Sequence, residues 1–376
     1  MSSPPEPSTC GCDKRTVCDI VTLCASTLLI CAWNAVHVDV PPRKTFRHVQ
    51  LTRVYWLLIA LFLPEMLLCV ALGQLREARM IIREGSQTWT LSHGFFVAMG
   101  ALSATVPDRR SGREHRTLTT GNFLDLIRSN PNNVPNISAD EIADRSKAGT
   151  VSKALLCLQI VFFCASCAAR LNQHVPLTLL EITTFAHCLC ALVAYAAWWY
   201  KPLDVIVPIP IALHNNADDG SGSIEYDAGL QRFFYSYSSV PAFYKSKPGR
   251  SLNWVRQLGL GQLVLASILI PTLYGLPHLL GFWQEFSTLV EHRLWRASTI
   301  LVIGLPSVWP VAFFLLTTRT SWGERLATLL IPHVMLAYLL ANGFLVCESV
   351  RQLFSLPPGA FVDVPLSHYV PHISIR

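Results

Sequence analysis

The stretch VYWLLIALFLPEMLLCVALG, Val54–Gly73, decides how the rest of the chain is read. Its length is what a helix needs to cross a bilayer: about twenty residues, rising about 1.5 Å each, over a hydrocarbon core of about 30 Å. Glu65 stands near its middle, directly after Pro64. A carboxylate at that depth is costly, and such residues face a bundle interior or a polar cavity. No basic residue occupies a comparable depth to neutralise it. Held among apolar groups, the carboxyl is expected to keep its proton and to act as a hydrogen-bond donor.

Composition agrees with this reading. Of the 376 residues, 51% are hydrophobic and only 14% charged, against about a quarter charged in soluble domains. The fold class expected is all-α, a polytopic transmembrane helix bundle of about seven spans. The net charge of +6 is spread over many loops without a basic block, which speaks against nucleic acid as a partner. The partners expected are the lipid bilayer and an apolar small molecule.

Working outward, residues 1–15 read as a disordered polar tail. The bundle, 16–347, opens with Thr16–His37 and continues with the Glu65 span. Then come Val151–Arg170, Pro176–Tyr200, Gln257–Phe282, Ala297–Thr318 and Leu326–Cys347. Trp198-Trp199-Tyr200-Lys201-Pro202 closes one span as an aromatic belt, a snorkelling cation and a helix stop. Between Leu75 and Arg83 an amphipathic pattern places Leu75, Ala78, Ile81 and Ile82 on one face and Arg76, Arg79 and Arg83 on the other. Trp89–Val106 is too short to cross and reads as re-entrant or interfacial, with Gly94 and Gly100 allowing close backbone approach. Long polar loops cover 107–150 and 201–256. The first is expected to carry short helices at Thr120–Ser129 and Ser138–Arg145, together with the sequon Asn136-Ile137-Ser138, a possible glycosylation site. Residues 348–376 form a Pro-rich tail. Counting Lys and Arg near the ends of seven spans favours an inner N-terminus and an outer C-terminus.

Four residues are candidates for catalysis. Glu65 is the candidate general acid, able to open an epoxide or protonate an alkene; a neutral Glu bonded to a neighbouring helix is the structural alternative. His93, one turn after Trp89, is either a proton shuttle or a helix-end histidine. Glu181 lies near one interface and is expected to meet another helix or loop, as are Lys153 and Arg170. His187, on the same span, points away from it by about 120°. His278 stands beside Pro277, where a kink would expose backbone carbonyls, and His333 after Pro332 is similar. Asp144–Lys147 either binds a phosphate or caps a helix. Glu291 is expected to pair near Arg296. No histidine pair has metal-ligand spacing, so neither a metal nor another cofactor is expected. Most of the twelve cysteines lie in apolar stretches as small hydrophobes. Cys164 and Cys167 have a redox-like spacing, and Cys10 and Cys12 are placed for palmitoylation.

Several ordered segments resemble a widespread group of multipass integral membrane proteins of filamentous fungi, largely without assigned activity. They are ICAWNAVHVDVPP at Ile30–Pro42, Pro64-Glu65, Trp89–Gly100, Asp144–Gln159, Leu180–Val205, Tyr274–Ser298 and the tail from Ser355. Departures fall at Ala101, Pro277, Phe282-Trp283 and Ser287. The resemblance implies a fungal, endomembrane setting, the endoplasmic reticulum before the plasma membrane. It also implies a link to secondary metabolism, in which a membrane-bound cyclase or isomerase for a terpenoid substrate is conceivable. A small-molecule transporter, a receptor-like protein or a non-catalytic scaffold are the competing readings.

Overall fold

A computed structural model describes residues 14–37, 39–40, 46–85, 88–106, 114–129, 135–146, 150–211, 260–317 and 321–364. The fold is a helical bundle carrying one small sheet. Six helices are long and apolar enough to cross a membrane, or seven if one sharply bent pair counts as a span. Their outward faces carry Leu158, Val161, Leu329, Leu336 and Leu340, exposed as lipid-facing residues would be. Contacts divide the chain into two units.

The first unit comprises Met1–Cys31, Leu156–Leu189 and Pro271–Arg376. It takes its helices from α1 (Val17–Ala35), α7 (Thr150–Asn172), α8 (Leu179–Ala197) and the end of α9 (Leu260–Gly275). To these it adds α10 (Leu289–Gly304), α11 (Val308–Thr317) and α12 (Ser321–Arg351), and α12 packs against both α10 and α11. Prolines shape the breaks. Pro277 opens a tighter 3-10 turn over Leu276–Trp283, and Pro306 lies in another between α10 and α11, while Pro271 and Pro332 stay inside their helices. α10 begins at Leu289, about two turns ahead of the span read from Ala297. Thr288 caps it by accepting from Glu291 N at 3.2 Å, and the Glu291 carboxylate accepts from Thr288 N at 3.1 Å.

The second unit comprises Ala32–Leu155 and Cys190–Ile270. Here Val54–Gly73 departs from expectation. It is not one continuous helix: α2 (Phe46–Phe62) stops at Leu63, and α3 (Pro64–Glu84) restarts with an axis bent by 114°. Pro64 has no N–H for the carbonyl one turn back, but the first turn of a new helix does not need one. α3 is amphipathic as read, with Leu67, Leu68, Ala71, Ala78 and Ile81 buried and Arg79 and Arg83 exposed.

Trp89–Val106 is likewise split. Its first half is the short helix α4 (Leu91–Ala98), packed on α3, and its second half is strand β1 (Leu102–Val106). β1 pairs antiparallel with β2 (Glu114–Thr117) and parallel with β3 (Ile209–Ile211). Helices α5 (Thr120–Ser129) and α6 (Ala139–Arg145) complete this part as expected, and Ser138 caps α6 by accepting from Glu141 N. Trp89, Phe96, Met99, Leu118, Phe123 and Ile142 form its core.

Gly94 meets the backbone of Ala78 on α3, whereas Gly100 touches nothing and instead supplies a φ of +77° between α4 and β1. Gly73, inside α3, has open space where a Cβ would stand. Gly73→Ala is therefore expected to stabilise the protein by about 0.5–1 kcal/mol, seen as a small rise in the unfolding midpoint of purified protein.

Candidate functional site

Glu65 occupies the first turn of α3, directly after the helix break, and is only 4% exposed. The turn's N–H groups lack intrahelical acceptors and favour negative charge nearby. The thiols of Cys69, one turn along, and of Cys190 on α8 lie within electrostatic reach of it.

His93 is occupied on both sides of its ring. Its Nδ1 accepts from Thr90 N at 3.1 Å, and its Nε2 donates to the carbonyl of Ile137 at 3.0 Å, because a carbonyl can only accept. Trp89 stacks on the ring. His93 thus caps α4 and ties down the segment next to the exposed Asn136, the behaviour of a helix-end histidine. Ser146 ends α6 and accepts from Leu203 N, so Asp144–Ser146 closes a helix rather than opening one. Lys147, Cys10 and Cys12 lie outside the described residues.

Lys201 was expected to snorkel and is instead buried. Its ammonium donates to the His37 carbonyl at 2.6 Å, to Asp39 at 2.7 Å and to Gln74 at 2.7 Å, and lies 5.0 Å from the centre of the Trp198 ring. Gln74 also accepts from the Trp198 indole and donates to Asp39. Burial pulls the ammonium below the usual lysine value, and the Asp39 carboxylate opposes that shift. Three acceptors for three hydrogens explain why the chain turns inward here, leaving Trp199 and Tyr200 exposed.

In the first unit, Glu181 meets the segment before α1, as expected of an acid near an interface, and its partner there is Arg15. Arg15 grips the carboxylate with both Nη atoms, at 2.5 and 3.0 Å, while Thr178 donates to it from its backbone N at 2.8 Å and its hydroxyl at 3.0 Å. Thr178 and Glu181 form the capping box of α8. This is the geometry of a charge pair holding an acceptor-only carboxylate. Arg170 turns to the carbonyls of Val362 and Pro176. Glu291 pairs with Arg351 rather than Arg296.

His278 lies at the centre of a separate buried polar group. Its Nδ1 donates to the carbonyl of Tyr274 at 3.0 Å, and its Nε2 is 3.4 Å from the Thr183 hydroxyl. Thr183 is 2.7 Å from Ser349, whose hydroxyl is also 2.7 Å from the carbonyl of Leu345. His187 Nδ1 donates to the Thr183 carbonyl, Tyr274 donates to Asn342, and the Trp295 indole donates to the His278 carbonyl. Side chains of α8, α10, α12 and the Pro277 turn thus meet in one network.

A model of a family of unknown function, DUF8562, matches residues 3–221, more than half of the chain. The chain belongs to this family. No curated protein and no solved structure matches it.

The matched part of this DUF8562 member contains Glu65, His93 and Glu181, and His278 lies beyond it. Glu65 and His93 belong to the second unit, and within the first Glu181 and His278 keep different partners. The partners of His278 were missed, although spacing offered a trace. Thr183 and His187, Tyr274 and His278, and Leu345 and Ser349 are each one turn apart on one helix face. The thiols that approach each other are Cys31 and Cys188, 4.0 Å apart.

Proposed function

We propose that the protein is a membrane-embedded enzyme of fungal secondary metabolism, using acid catalysis to cyclise or isomerise an apolar, isoprenoid-type substrate. The observation that carries the reading is the buried carboxyl of Glu65 in the first turn of a helix that restarts after a sharp break. Breaks at membrane depth are tolerated where they are enclosed by protein or line a polar cavity. Ionisable groups in such places mark substrate or proton pathways. A carboxyl carrying its proton there donates it to an alkene or epoxide. Ring closure or double-bond migration follows, and a proton is returned from the product cation, so the carboxyl is restored and no co-substrate is consumed. Of the other candidates, His93 and Glu181 serve as helix caps and an ion-pair partner, and His278 is tied into its own buried network.

The test is metabolite profiling of strains carrying Glu65→Gln. Loss of product, with accumulation of a linear precursor at normal protein level, is the expected result. An unaltered profile at normal protein level overturns the acid role and returns attention to transport or scaffolding.

A further inference from the structure

We infer that the chain crosses its membrane six times, with both termini on the non-cytosolic face, and that α2–α3 is a hairpin dipping in from the cytosolic face and returning to it. Three sets of contacts lead there.

The first is a parity argument within the first unit. Lys14 forms a backbone bridge with Val362, Arg15 N donates to the Phe361 carbonyl at 3.0 Å, and Arg15 Nε donates to that of Ala360 at 2.6 Å. The chain just before α1 and just after α12 therefore lies on one face of the membrane, and the number of crossings between them is even. Seven crossings, with the termini on opposite faces, do not satisfy this.

The second set locates the even count. Arg15 holds Glu181 at the start of α8, Leu179 N donates to Gln352 just after α12, and Gln352 donates to the Glu285 carbonyl before α10. The α7–α8 turn, the segment before α10 and the end of α12 share the face of the termini. Since α1 and α7 each cross once, α2–α3 together contributes no net crossing.

The third set, within the second unit, describes that segment. Arg53, early in α2, pairs with Asp204. Gln74, midway along α3, bonds Asp39 and Trp198. Asp39 follows α1 and Asp204 follows α8, so both arms of the bent pair begin and end on the face opposite the termini. The apolar arms, Val54–Phe62 and Pro64–Gly73, are each about 14–15 Å long, about half of a hydrocarbon core. Such arms reach mid-depth and turn back there, which puts Leu63–Glu65 at the tip.

Charge gives the orientation. Among the described lysines and arginines, Lys14, Arg15, Arg170, Arg293, Arg296 and Arg351 fall on the side of the termini, and the other eleven fall on the side of the hairpin's ends, the bias expected of a cytosolic face. The hairpin face is the cytosolic one. The topology does not depend on the acid role of Glu65.

The test is epitope mapping on the full chain in selectively permeabilised cells. Tags at the two termini are expected to be reached only after the internal membranes are opened. Tags inserted at Lys44–Thr45 and at Ser86–Gln87 are expected to be reached from the cytosol, and Asn136 is expected to carry no glycan. Termini on opposite faces, both termini in the cytosol, the two inserted tags on opposite faces, or a glycan on Asn136 would each overturn the inference. The termini and Asn136 are read on a chain with no internal insertion, so a tag that impairs folding leaves the test intact. A Glu65→Gln strain that keeps its product, with the tags as expected, removes the acid role alone.

Discussion

Glu181→Ala is expected to destabilise the bundle by about 3–5 kcal/mol, the range for removing one partner of a buried ion pair. Glu181 is 2% exposed and the Arg15 side chain 11%, so solvent compensates neither once the other is gone. The deletion also leaves the Thr178 N–H and hydroxyl without their acceptor at the start of α8, a capping loss of about 0.5–2 kcal/mol in its own right. Glu181→Gln keeps the cap acceptor and loses the charge, and is expected to fall between. Removing both charges, as in Arg15→Leu with Glu181→Leu, is expected to cost less than the sum of the two single changes, because no unpaired charge remains. Thermal unfolding of the purified parent, the four single variants and the double variant makes the comparison. If Glu181→Ala unfolds at the parent midpoint, the pair contributes nothing and its structural role is wrong.

Gly94→Val is expected to leave the second unit unable to pack. A Cβ at this position would stand 2.9 Å from the carbonyl carbon of Ala78 and 3.0 Å from its Cα, and backbone cannot swing aside as a side-chain tip can. Ordinary overpacking costs about 1–3 kcal/mol, and a clash between two helix backbones belongs at or above the top of that range. Separating α4 from α3 also withdraws Trp89 from Phe123 and His93 from Ile137. The expected result is little folded protein in detergent and protease cleavage near the α4–β1 junction. Gly100→Ala is the contrast: space is open and only the positive φ resists, at about 1–2 kcal/mol. Equal yields of Gly94→Val and parent would show that α3 and α4 do not need this contact.

The helices were legible because hydrophobic length and composition report the bilayer directly. The short helices α5 and α6 were legible because the Thr120 region and the Ser138–Glu141 cap carry local signals. Val54–Gly73 misled because its composition is uniform while its backbone is not. Pro64 is as compatible with a new first turn as with a kink, and only packing chooses between them. Lys201 misled for a related reason. A cation after an aromatic belt reads as snorkelling, and its burial depends on Asp39 and Gln74, more than a hundred residues earlier. The same distance hid the partner of Glu181, since nothing local to α8 announces Arg15. The Thr178–Glu181 capping box was local, and could have been read as the reason for that acid.

The network around His278 has a direction. Carbonyls accept only, so the Nδ1 hydrogen is committed to Tyr274. With a neutral ring, Nε2 needs a hydrogen from Thr183, and Thr183 then draws one from Ser349, which leaves the carbonyl of Leu345. In the opposite arrangement, with a hydrogen on Nε2 as well, two bonds reverse and one forms: the ring donates to Thr183, Thr183 to Ser349, and Ser349 turns to the carbonyl of Leu345. No heavy atom has to move between the two arrangements. The two arrangements differ in whether Ser349 holds the main-chain oxygen of Leu345 on α12, and the ring at the Pro277 turn is linked to that choice by a hydroxyl on α8.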